Sequence, residues 1–159
     1  RGWLVAPERF IAPLQRLQQN LFICASSVAQ HAGIAALKHA WPDVERMVAE
    51  YSRRREALLF GLRELGFRVA AEPRGAYYAL ADARHLGSDS LKLAKRILEE
   101  AHVGVTPGID FGPAAEGHLR FSFASSLETI EEGLRRLREW LGGDSRSRSS
   151  RLSLKLPPR

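Results

Sequence analysis

The spacing of apolar positions shifts from segment to segment along the chain, and the shifts mark the elements. Gly2 to Ala6 is a short, nearly continuous apolar run stopped by Pro7, which predicts a strand. Pro7 suits the first turn of a helix, where no amide donor is needed. Phe10, Ile11, Leu14 and Leu17 then recur at helical spacing. Asn20 to Ala25 interrupts them, and Ser26 or Ser27 is placed to cap a second helix running to about His39. Pro42 opens a long helix with the stripe Val44, Met47, Val48, Tyr51, Leu58, Leu62 and Leu65, and Gly66 is placed to end it. Its middle, Arg53 to Glu56, is wholly polar, as in a helix bridging two packed regions.

From Phe67 the period becomes two. Phe67 to Ala71 and Ala76 to Ala81 read as strands around a Glu-Pro-Arg-Gly turn. Ser88 or Ser90 starts a helix with Leu91, Ala94, Ile97, Leu98 and Ala101 on one face. Val103 to Val105 reads as a strand, followed by a loop holding Pro107, Gly108, Gly112 and Gly117, then a strand from His118 to Ala124. Ser125 with Glu128 forms a capping box for a last helix, with Leu127, Ile130, Leu134, Leu137 and Leu141 inward. Strands interleaved with helices predict an α/β fold, its later part an α+β-like small domain with a mixed sheet and packed helices. There is no internal repeat.

Composition narrows the class. With 159 residues and 45% apolar content, the chain has globular composition. No apolar run approaches the ~18 residues of a membrane span. The single cysteine, Cys24, excludes an internal disulfide framework and fits a reducing, cytoplasmic setting. The net charge of +6 invites a nucleic-acid reading, but five cations and one anion fall in Asp144–Arg159. The remainder is close to neutral and lacks a basic face with interleaved aromatics, so a nucleic-acid partner is not expected. The segment 144–159, Ser/Arg-rich with a terminal Pro pair, is expected to be a disordered basic tail.

The candidate chemistry centres on Arg120. In the strand His118–Ala124, Leu119, Phe121 and Phe123 share one face and His118, Arg120 and Ser122 the other. A guanidinium on a rigid strand, beside a pliable Gly-rich loop, is suited to gripping a carboxylate through two parallel hydrogen bonds. The competing reading is a surface arginine on an edge strand, paired with a nearby acid. Gly108, Phe111 and Gly112 either shape a ligand pocket or serve only as turn chemistry. His31, His39, His85, His102, His118 and Cys24 show no metal-ligand spacing. Phosphate-loop, dinucleotide, nucleophile-elbow and paired-acid signatures are absent.

The same residues carry a resemblance. PGIDFGP (107–113) followed by HLRFSFA (118–124) resembles the C-terminal end of the class I/II, fold-type I aminotransferases, which use pyridoxal phosphate. RGWLVAPERF (1–10) resembles the strand after the cofactor-lysine segment, LQQNLFICASSVAQHAGIAAL (17–37) the helix break and helix beyond it, and EPRGAYYALAD (72–82) the first hairpin of the small domain. The four segments follow the family's order and cover Gly2 to about Leu141.

The resemblance implies that residues 1–41 end the large domain, 42–66 form the interdomain helix and 67–143 the small domain. It implies amino-group transfer between an amino acid and a 2-oxo acid, a homodimer in the intact form, and Arg120 as the substrate-carboxylate clamp. It also implies that the Schiff-base lysine lies upstream of Arg1, since Lys38, Lys92, Lys95 and Lys155 match no such motif; no catalytic residue is expected within the chain. The opening at Arg1, with Met47 the only methionine, fits a fragment. Arg1 stands one place from the family's usual phosphate-binding arginine and is not assigned. Gly75, Tyr77 and Tyr78 lie near the active-site mouth in the family, but a glycine between two strands is more often only a turn and such tyrosines more often packing, so no catalytic role is expected of them. Asn20, Ser26 and Gln30 face either the cofactor region or a dimer interface, or only cap the helix break. The alternative is a non-catalytic ligand-binding or regulatory remnant of the same fold.

Overall fold

The computed structural model of the chain describes residue 2 and residues 4–152. Two compact units divide it, Arg1–Val48 and Ala49–Arg159.

The first unit holds α1 (Glu8–Leu21), α2 (Ser27–His39) and the start of α3 (Trp41–Glu64). Pro7 stands at the N-cap of α1, and α1 ends where the Asn20–Ala25 break was expected. At the described positions of the predicted strand Gly2–Ala6, residue 2 and residues 4–6, no strand forms. A strand needs a ladder partner, and no described residue pairs with it. Ser26 occupies the N-cap of α2, yet its side chain makes no capping hydrogen bond. Neither α1 nor α2 has a buried residue. Val44, Met47 and Val48, expected to be buried, are exposed.

The second unit contains the core. α3 buries Leu58, Leu59, Gly61 and Leu62. It ends in a left-handed Gly66 (φ 84°) with two closing bonds, Gly66 N–H to Arg63 O at 2.9 Å and Phe67 N–H to Leu62 O at 3.0 Å. That is the double closure a glycine after the C-cap allows, and it drops Phe67 into the core. The polar stretch of α3 is occupied locally: Arg54 donates to Glu50 at 2.8 Å, and Arg55 to Pro73 O at 3.3 Å.

A three-stranded sheet follows, in the order β1 (Tyr78–Asp82), β3 (His118–Ser122), β2 (Thr106–Pro107). Both ladders are antiparallel, so β1 and β2 run the same way on either side of β3. The strand predicted over Phe67–Ala71 reduces to one bridge, Arg68 with Asp82. The strand predicted at Val103–Val105 pairs one step later, at Thr106 and Pro107. Pro107 has no N–H, so that ladder stops at once. One sheet face, with Ala79, Ala81, Leu119 and Phe121, packs into a cluster with α4 (Ser90–Ala101), α3 and α5 (Leu127–Leu152). Ile97, Leu134 and Leu137 are central to it.

Two caps differ from expectation. Asp89, not Ser88 or Ser90, caps α4, accepting from Lys92 N–H at 2.8 Å. Ser126, not Ser125, serves α5, accepting from Thr129 N–H at 3.3 Å. In each case the chosen residue stands three before an unpaired helical amide. Helix α5 runs to Leu152, so it takes in the first part of the segment expected to be a disordered tail; residues 153–159 lie outside the described residues. Among the described residues no helix is long and apolar enough to cross a membrane.

Candidate functional site

Arg120 sits in the central strand of the sheet, not on an edge. Cross-strand partners fix its surroundings. Leu80 of β1 and Thr106 of β2 stand opposite it, so their side chains share its face. Tyr78 is two residues from Leu80 and lies diagonally on that face, within reach of an aromatic side chain.

The guanidinium is half-buried between two rings. Its carbon lies 4.1 Å from the Tyr78 ring centre and 4.8 Å from that of Phe111. Nη2 donates to Thr106 Oγ1 at 3.1 Å. Nε is buried and has no hydrogen-bond partner. No acidic side chain pairs with Arg120 among the described residues, so the paired surface arginine considered above is not what the fold presents. A buried donor without an acceptor costs about 1–3 kcal/mol. Adjacent N–H groups of one guanidinium match the two oxygens of a carboxylate, which would meet that need.

The aromatic surround extends beyond Arg120. Tyr77 and Tyr78 lie 4.3 Å apart between ring centres, and Tyr51 stacks on Tyr77 at 6.2 Å. The hydrogen bond with Tyr77 raises the Tyr78 phenol above its ordinary pKa, and burial adds to this, while the Arg120 charge opposes it. Tyr78 therefore stays neutral at physiological pH and presents its ring face to the cation.

The loop between β2 and β3 is folded tightly. Gly108–Phe111 and Pro113–Ala115 are 3₁₀ turns, joined at Gly112 with φ 102°. The first turn carries Phe111 to Arg120. Ser90, fully buried at the start of α4, accepts from Ile109 N–H at 3.1 Å. Glu116 accepts from Ser90 N–H at 2.6 Å and from Gly117 N–H at 3.0 Å. Those two backbone donors, with the Ser90 hydroxyl, hold the Glu116 carboxyl below its ordinary pKa.

The remaining candidates divide. Phe111 joins Arg120, and Gly108 and Gly112 shape the loop that brings it there. Tyr78, which sequence reasoning left as packing, is brought into the site; Thr106 was missed, since only the β2–β3 register reveals it. His118 shares the face but binds locally, Nδ1 to Glu116 O at 3.1 Å. Asn20 and Gln30 bond to Arg16 O and Ala25 O, as helix-end residues do. Arg1 and Lys155 lie outside the described residues. Lys38, Lys92 and Lys95 are on exposed helix positions, and none contacts Arg120. Among the described residues no lysine amine stands beside the Arg120 guanidinium, and they do not by themselves fit pyridoxal phosphate. Among them, no group of three His, Cys, Asp or Glu side chains is arranged to hold a metal.

A hollow of about 320 Å³ lies away from Arg120, behind β3, and is lined by Leu58, Phe121, Thr129 and Leu137 among others. Its Arg136 is paired with Glu132 at 2.7 Å.

Comparison with known proteins places these features in a family. The profile of aminotransferase class I and II matches residues 1–137. A (5-formylfuran-3-yl)methyl phosphate transaminase of Methanocaldococcus jannaschii is 36% identical over 141 residues, 88% of this chain and 37% of the relative. A valine–pyruvate aminotransferase of Mycobacterium tuberculosis is 37% identical over 142 residues, again 88% of this chain and 37% of the relative. The crystal structure of an aromatic aminotransferase from Pyrococcus horikoshii superposes with a TM-score of 0.84 at 35% identity, covering 88% of this chain and 38% of that one. The chain thus spans a little over a third of the length of these relatives. On the sequence match and the shared fold together, the chain belongs to the class I and II aminotransferases.

Proposed function

We propose that the chain supplies the carboxylate-recognition part of an aminotransferase that moves an amino group between an amino acid and a 2-oxo acid. One observation carries this reading: the Arg120 guanidinium, held between Tyr78 and Phe111, keeps a buried Nε donor with no acceptor and no paired acid. Arg120 binds the substrate α-carboxylate through two N–H groups. Thr106 takes a third donor and fixes the plane of the fork. The two rings exclude water from its faces, which strengthens the ion pair relative to one in bulk solvent. Pyridoxal phosphate, held by residues other than those described, would supply the electron sink at the substrate α-carbon, and Arg120 would contribute the carboxylate grip alone. The lysine the cofactor needs is assigned to sequence outside this segment, and a second copy of the intact protein is the proposed partner, as the family resemblance implies.

The test is direct. An isolated, buried Arg120 Nε–H gives its own nitrogen-15 NMR signal in the full chain, and pyruvate should shift it saturably. Arg120→Lys should abolish the signal and the binding, since a lysine cannot offer the planar pair of donors. In the intact enzyme the same change should cost on the order of 10²–10⁴ in kcat/KM, the equivalent of orphaning one partner of a buried pair. Pyruvate binding that is unchanged in Arg120→Lys would remove the basis of the reading.

A further inference from the structure

We propose that Ser90 and Glu116 are positioning residues: they latch the β2–β3 loop to the start of α4 and thereby set Phe111 against Arg120. The inference rests on the carboxylate reading above and assigns control of that subsite to two side chains that do not touch it.

Ser90 is the only polar residue fully buried among the described residues. Burying a hydroxyl is costly unless its bonds are made. Here both sides of the residue are used, and both reach the same loop. Its Oγ accepts from Ile109 N–H, two residues before Phe111. Its N–H donates to Glu116 Oε1 near the loop's other end. Glu116 Oε1 also takes the Gly117 N–H, so one oxygen ties the end of the loop to the first residue of α4.

Capping does not account for the pair. Asp89 already caps α4 at the Lys92 amide. The Ser90 Oγ bond serves no amide of α4; it holds the 3₁₀ turn that carries Phe111. The loop between the two anchors is folded back on itself, and a β-carbon on Gly108 would stand 1.9 Å from Ala115 O and 2.7 Å from His118 O. With so little slack, releasing one anchor shifts the turn rather than only loosening its tip. The Phe111 ring, 4.8 Å from the guanidinium carbon, is the part of the site that such a shift moves.

The experiment compares the full chain with Ser90→Ala, Glu116→Ala, Glu116→Gln and, as a control for lost helix capping, Ser126→Ala. Two quantities are read: the Arg120 Nε–H signal without ligand, which senses the Phe111 ring current, and the Kd for pyruvate. Ser90→Ala and Glu116→Ala should move the ligand-free signal and weaken pyruvate binding roughly three- to tenfold, the size of one net hydrogen bond. Glu116→Gln retains an acceptor oxygen and should recover part of the loss. Ser126→Ala should lower Tm while leaving both readouts as in the parent. If Ser90→Ala and Glu116→Ala behave like Ser126→Ala, losing only thermal stability, the latch is overturned and the carboxylate reading stands. If the parent chain itself gives no pyruvate response, the carboxylate reading fails, and the positioning role falls with it.

Discussion

Gly108 has no space for any side chain. The nearest atoms to an added β-carbon are backbone carbonyl oxygens, which cannot swing aside as a side-chain end could. Gly108→Ala should therefore destabilise the second unit by about 1–3 kcal/mol, the usual cost of overpacking. It should also weaken pyruvate binding, because the turn it distorts holds Phe111. A thermal melt with a parallel titration checks both effects; an unchanged Tm would mean that the loop has slack. At this scale Arg120 was legible in the sequence, since the period of two puts Leu119 and Phe121 inward and Arg120 outward from local spacing alone. Its neighbours were not. Thr106 and Tyr78 meet Arg120 through strand register, a property of three separated segments, and the Ser90–Glu116 bond spans 26 residues.

Helix α5 carries a compact charge network. Glu132 accepts from Arg135 Nε and Nη2 and from Arg136 Nε, each at 2.7 Å, while Arg135 also reaches Glu139 at 2.6 Å. The bonds from Arg135, then Arg136, lower the Glu132 pKa to about 2. A folded-state pKa below the unfolded one means that the stabilisation is complete above the unfolded value, about 4.3, and is lost as pH falls through about 2. Glu132→Gln should therefore lower Tm at neutral pH and flatten its decline between about pH 4 and 2. Because these groups are solvent-exposed, added salt should shrink the difference. A Tm series in pH and salt for the two chains decides it; parallel curves would exclude the network as a source of stability. Elements of this length were the legible ones. The five helices have long periodic faces, whereas β2 has two residues and the Arg68 bridge one, too short for any period to register. Both misplaced caps were off by one position, since runs such as Ser88-Asp89-Ser90 and Ser125-Ser126 hold several residues able to cap.

Burial is unequal across the molecule. Every buried apolar residue of the described chain, from Leu58 to Leu137, belongs to the second unit. In the first unit Leu4, Leu17, Leu21, Phe22 and Leu37 are exposed, and neither α1 nor α2 buries a residue. Helices of 14 and 13 residues are marginal in water without tertiary packing, and α1 carries Pro13 inside it. Local stability should follow burial rather than helical content. In hydrogen exchange on the 159-residue chain, amides of β1, β3 and α4 should be the slowest, with Ala81, Phe121 and Ile97 close to the global unfolding limit. Amides of α1 and α2 should exchange faster by orders of magnitude, despite their regular hydrogen bonding. Leu62→Ala, which empties a fully buried position, should cost about 2–5 kcal/mol and speed exchange throughout β1, β3 and α4 without altering α1 or α2. Equal protection in α1 and β3 would contradict this, because it would require burial in the first unit that none of its described side chains has.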